Sequence, residues 1–323
     1  MMQDRKYEPM ANGEQGVSVP GSILSGHPAS IVATPPADPR PGGVTAPGKP
    51  ELAVTVIEPR PGWKLVNVRE LWQSKELLYY LAWRDIKVRY KQTALGIGWA
   101  FAQPVFAMLV FTLFLGDVAG LNAGIEHYSL YVFAGMLPWT FFSSAVSQAG
   151  NSIVANERLI TKVYFPRLHV PFSSVGSVLF DFVIGFPLLF GMMLWFGVPM
   201  TSGLLAAPLL FGLLVFMAMG MGALFAALVA VQRDFRYILW FSIQIWMFAT
   251  PTIYRPLNSM TETAQWLVPL NPVHGVIENW RQCLLGGPIN WYSLAVSGAV
   301  GVAVSLFGFA FYRRMERSFA DLI

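Results

Sequence analysis

Few residues in this sequence have the types and spacing that chemistry needs. Gly43 to Lys49 sets four residues between Gly43 and Gly48 and then a lysine, the outline of a phosphate-binding loop. Pro50 follows where a Ser or Thr hydroxyl has to ligate magnesium, its ring removes a backbone donor, and no buried strand leads in. The stretch is not read as a nucleotide site, and no other stretch offers one. Asp181 is the one charge in the middle of a long apolar run, where an ionisable group is costly and persists when it is used. It reads either as a proton or substrate site or as a carboxyl held at a packing face by Ser177 or similar hydroxyls. Glu278 and Arg281, three apart, can pair on a helix, a contact worth ~0.2–0.5 kcal/mol on an exposed surface. A lone cysteine, Cys283, gives neither an intrachain disulfide nor a cysteine metal cluster. No metal ligand set and no catalytic residue is expected.

The elements around these residues are those of a membrane protein. Hydrophobic residues make up 54% and charged residues 12% of the 323, and mean hydropathy is +0.50, against about a quarter charged in soluble domains. Residues 1–62 hold 11 of the 23 prolines beside many glycines, with no apolar period. They read as a disordered cytoplasmic tail, and the early basic residues Arg5 and Lys6 lead into no signal-peptide core. Residues 63–92 read as an amphipathic helix on the membrane surface: Gln73, Glu76, Tyr80, Arg84, Lys87 and Lys91 share one face, and Leu71, Leu78, Ala82 and Ile86 the other. Residues 93–323 then supply six spans, about Ala94–Leu115, Tyr128–Val154, Val170–Trp195, Leu204–Val231, Tyr237–Tyr254 and Trp291–Tyr312. Thr263 to Ile277 is apolar but short and broken by Pro269 and Pro272, which suits a re-entrant hairpin. The fold class is therefore an all-α membrane protein with six transmembrane helices. Twelve lysines and arginines flank the spans on the side that includes Arg84, Arg158, Lys162, Arg167, Arg233 and Arg313, against only Arg255 and Arg281 on the other. That asymmetry places both termini in the cytoplasm.

Scarce mid-span charge speaks against an ion-coupled carrier, so energy for transport has to come from another chain. The loop NERLITKVYFPRLH, Asn156 to His169, is basic and partly apolar and has room for one or two helical turns before Pro166. It reads as a segment that docks into a partner, as a positive anchor whose basic groups reach the headgroups, or as both. No nucleic-acid module is suggested.

RDIKVRYKQTALGIGWAFAQP (Arg84 to Pro104), GMLPWTFFSSAV (Gly135 to Val146), LITKVYFPRL (Leu159 to Leu168) and LNPVHGVIENWRQCLLG (Leu270 to Gly286) resemble, in order, the type-2 membrane subunits of bacterial ABC exporters for polysaccharides. These permeases serve O-antigen, capsule and teichoic acid export, and the resemblance runs from about Val54 to the C-terminus. It implies a homodimeric permease in the bacterial cytoplasmic (inner) membrane, partnered by an ABC ATP-binding subunit that carries the ATP and magnesium. A lipid-linked polysaccharide, O-antigen before capsule or teichoic acid, is the implied substrate, with membrane lipids around it. By the same resemblance Glu76, Arg84, Asp85, Lys87, Arg89 and Lys91 lie on the interface helix that touches the ATPase. Glu157, Arg158, Leu159, Ile160, Lys162 and Tyr164 lie on the coupling helix, and Glu278, Trp280 and Arg281 on the external helices that close the exit. A glycan path needs aromatic faces on which sugar rings slide. Candidates are Tyr131, Trp139, Phe141, Phe142, Trp246 and Tyr254, although such residues also form interfacial belts. The rivals are a drug or lipid exporter of the same fold, a secondary carrier, and a scaffold for glycan assembly.

Overall fold

A computed structural model describes residues 72–91, 96, 98–118, 120, 125–163, 165–252, 266–316 and 319, and among them it contains helices and no strand. The glycine–lysine loop at 43–49, Leu71, Tyr164, Tyr254 and Arg255 lie outside the described residues.

Helix α1 spans Lys75–Lys91 and α2 spans Gly98–Phe111, continuing as a π-helical stretch over Thr112–Val118. The long α3 (Tyr128–Ala155) is followed by the six-residue α4 (Glu157–Lys162) and by α5 (His169–Trp195). A 3-10 turn at Ser202–Ala206 opens α6 (Ala207–Val231), and α7 (Phe235–Ala249) comes next. A 3-10 turn at Val268–Leu270 precedes α8 (His274–Leu285), and α9 (Trp291–Met315) ends the bundle. The chain turns between α5 and α6 at Gly197, in left-handed backbone at φ 68°, just before Pro199.

Among the described residues, five helical stretches are long and apolar enough to cross a membrane: Gly98–Gly116, Tyr128–Ala155, His169–Trp195, Ser202–Val231 and Trp291–Met315. The expected crossing at 237–254 is shorter than the others, because α7 has 15 residues, about 22 Å of helix against ~30 Å of hydrocarbon. It stops where Thr250 turns to an extended conformation before Pro251.

The core is built on α3, which packs against α5 on one side and α6 on another, with α9 on the far side of α6. Lipid tails supply no hydrophobic drive between helices, so close backbone approach does the work. At Gly220 on α6 an added methyl would run into Ser305 on α9, and the α6 residues Ala223, Ala226 and Ala227 are fully buried. Large apolar side chains instead cover the outside: Leu209 on α6, Val183 and Leu194 on α5, Phe106 and Phe114 on the second helix.

Candidate functional site

Three clusters of polar groups divide the bundle by depth. At the end that carries Arg158 and Lys162, α4 follows α3 after a single non-helical residue, Asn156. Its exposed side shows Arg158, Thr161 and Lys162, Glu157 and Leu159 are half-buried, and Ile160 is sunk into a core with Ile153, Leu168, Val170 and Tyr312. Alternation of charged and apolar residues within six positions thus makes one short helix with a wet face and a rooted one. Arg84 on α1 donates to Asn156 Oδ1 at 2.7 Å and also pairs with its neighbour Asp85 at 2.7 Å. The surface helix is thereby bonded to the joint of α3 and α4. The loop after α4 is fastened too, since Arg167 donates to the Glu316 carbonyl at 2.6 Å and Glu316 pairs with Arg313 at 2.9 Å.

Gln73, just before α1, and Glu76, Tyr80, Arg84, Lys87 and Lys91 on it are exposed, as the spacing predicts, while α1 packs Leu78, Leu81, Ala82 and Ile86 on the side of α5. Arg89 departs from that surface. It points inward, pairs with Asp181 halfway along α5, and donates to Gln148 on α3 and to Ser177. Tyr90 donates to the other Asp181 oxygen. Of the two sequence readings of Asp181, the held carboxyl fits, but the holders differ: Ser177 donates to Ser174, and the guanidinium and phenol of α1 do the holding. Gln148 lies eight residues before Asn156, about 12 Å of helix, so the side chains of Arg84 and Arg89, five residues and about 7.5 Å apart on α1, fasten it at two depths.

At the opposite end, α8 is clamped by Arg281, whose side chain is 1% exposed. Its guanidinium donates to the Thr252 carbonyl at 3.2 Å and the Pro251 carbonyl at 3.0 Å, pairs with Glu278, and lies 3.9 Å over the Tyr131 ring. This corrects the expectation of an exposed, weakly worth pair. The two carbonyls lie in the non-helical segment just after α7, and a buried arginine has the planar donor fork to take both. Gly135 completes the fit, because a methyl there would strike the Thr252 carbonyl. Burial by itself raises the Glu278 carboxyl, but Arg281, Gln282 and His274 together hold it below its ordinary value. Burial pushes the His274 imidazole down, against the pull of Glu278. Trp280 donates to the Ala134 carbonyl at 3.1 Å, so α8 is sewn to α3 as well.

The aromatic candidates fall into packed groups. Trp139, Phe142 and Trp246 meet one another, Phe141 meets Phe182 and Phe211, and Tyr131 serves Arg281. Within one subunit Tyr131, Trp139, Phe141 and Phe142 are buried. Their rings pack between helices within the subunit, and Phe141 also borders a cavity beside α1 and α2. Trp246 is half-buried and donates to Asn271 Oδ1 at 2.9 Å. The residues that sequence reading missed are Asn156, Gln148 and Tyr90, whose importance comes from partners more than 50 positions away. Local spacing carries no trace of such pairs.

Residues 76–285 match the ABC-2 type transporter family. An O-antigen export system permease protein RfbA of Klebsiella pneumoniae is 26% identical over 250 residues, 77% of this chain and 95% of that protein. The RfbA permease of Myxococcus xanthus is 31% identical over 215 residues, 66% of this chain and 82% of its own length. The polysialic acid transport protein KpsM of Escherichia coli is 23% identical over 243 residues, 73% of this chain and 92% of its own length. With a family match that takes in nearly all of α1 and everything from there through α8, and relatives aligned over most of their length, this integral membrane protein belongs to the ABC-2 type transporter family.

Proposed function

We propose that this chain is the membrane subunit of an ATP-driven exporter that moves a lipid-linked polysaccharide of O-antigen type outward across a bacterial cytoplasmic membrane. The observation that carries the reading is the alignment with O-antigen export permeases over as much as 95% of their length. The rooted helix α4 and its bond to α1 support it, because a subunit without its own nucleotide loop has to receive force from outside. In this reading two copies enclose the path, and each binds one ATP-binding subunit that holds the ATP and magnesium. Arg158 and Lys162 on α4 and Glu76, Arg84, Lys87 and Lys91 on α1 meet that subunit, and Ile160 passes its motion to the core. Both termini are cytoplasmic in this reading, in keeping with the lysine and arginine asymmetry. Glu278, Trp280 and Arg281 hold α8 over the exit.

Deleting the gene in its native host tests the reading. Surface polymer should vanish, lipid-linked glycan should build up inside, and the intact chain should restore export. Unchanged surface polymer would contradict it. Likeness to the polysialic acid transport protein favours capsule as the second reading, and whether the lost polymer is lipopolysaccharide or capsule separates the two.

A further inference from the structure

A cavity of about 330 Å³ opens between the end of α1, the start of α2, and the middles of α3 and α5. Arg89, Gln103, Thr140, Ser144, Gln148 and Asp181 supply its polar lining, and Tyr90, Trp99 and Phe141 its rings. It does not end there. From Leu130 to Ile153 every residue of α3 is buried except Thr140, Ser143, Ser144, Ser147, Gln148 and Asn151. All of these are uncharged hydrogen-bonding side chains, and their steps of three and one put them on a single face. The face runs from the cavity toward the α4 end for about 16 Å.

Ser143 donates to the Thr140 carbonyl, Asn151 to the Ser147 carbonyl, and Gln148 accepts from Arg89, but the remaining donors and lone pairs of such a row would find no partners in hydrocarbon, which offers none. Exposed positions on α6 and α7 are mostly apolar, Leu209, Phe241, Ile245 and Phe248 beside an exposed Gln244 on α7. The α3 face is therefore wet. The charges of the cavity cancel, since Arg89 is already paired with Asp181. What remains is a neutral wall of donors and acceptors with aromatic planes at one end, which matches a polyhydroxylated chain better than an anion.

We propose that this cavity and the α3 face form the sugar-contacting wall of the path, binding uncharged glycan units as they pass and not the charged lipid headgroup. The proposal rests on the exporter reading above. Wet, weak and repeated contacts suit a chain that has to move on.

Single cysteines at Ser144, Ser147 and Asn151, in the full chain in native membranes, are reacted with a water-soluble methanethiosulfonate. The unaltered chain, whose Cys283 is buried, gives the background, and Leu209→Cys on the apolar α6 surface gives the lipid-facing control. The α3 positions should label on the order of tenfold faster than Leu209→Cys, because a thiol ionises where water reaches it. Labelling should slow in cells that build the full glycan and stay fast in cells that build only the lipid carrier with its first sugar. Equal rates at α3 and the control overturn the wet wall. Slowing by the carrier alone, or no slowing by the full glycan, overturns the sugar assignment. A chain that supports export yet gives those results sinks this inference and leaves the exporter reading standing; loss of the exporter reading shows instead as export that does not need the chain.

Discussion

A single arginine, Arg281, decides how α8 sits, and its burial makes the consequence of losing it large. Arg281→Met keeps most of the volume but leaves Glu278 and the carbonyls of Pro251 and Thr252 without their donor. Removing one member of a buried ion pair typically costs about 3–5 kcal/mol, so the purified protein should melt several degrees lower, with Arg281→Lys recovering little because it lacks the fork. The Arg89–Asp181 pair is open to a different test. Asp181→Asn should lower stability by ~1.5–3 kcal/mol, and the double variant with Arg89→Met should lose less than the sum of the singles; strict additivity in melting experiments would mean that the pair does not couple α1 to α5. His274 gives a pH dependence whose sign follows from its lowered pKa. Below the ordinary value of 6.5 the unfolded chain takes up a proton that the buried imidazole resists, so stability falls as pH drops from 7 to 5, by at most ~1.4 kcal/mol per pH unit. Glu278, held below 4.5, keeps its contribution through that window and loses it in stronger acid. His274→Gln should flatten the decline between pH 7 and 5 in a thermal-melting series.

Among the elements, α4 is small enough that one side chain roots it. Ile160→Ala removes that root and should cost about 2–4 kcal/mol of local packing, seen as faster hydrogen exchange over α4 with the rest of the bundle unchanged; an unaltered exchange pattern would show that Ile160 does not anchor the helix. Sequence spacing predicts α4, both faces of α1, and the long helices, because helical period and apolar length are local properties. The stop in α7 is legible only in part. Thr250–Pro251 gives a local stop signal inside the expected span, but the clamp on the following carbonyls by Arg281, some 30 residues later, leaves no local trace. Arg89 is likewise unreadable from α1 alone, since only the approach of α3 and α5 turns a basic surface residue into a buried partner of Asp181.

For the molecule as a whole, the same limit separates what sequence shows of the path from what it hides. Trp139, Phe141 and Phe142 are sugar-stacking residues by type, yet the fold spends them on the contacts of α3 with α5, α6 and α7. The hydroxyls and amides beside them, unremarkable as single residues, form the open face. The proposed function stands on an energy source arriving from a partner at α1 and α4. The most direct measurement is to purify the full chain from its native host in mild detergent and identify what accompanies it. An ATP-binding subunit in equal amount, with ATP hydrolysis that falls when Arg158→Ala and Lys162→Ala are combined, is the result expected. If nothing that binds nucleotide accompanies the chain, even after cross-linking in the membrane, the exporter account is contradicted at its centre.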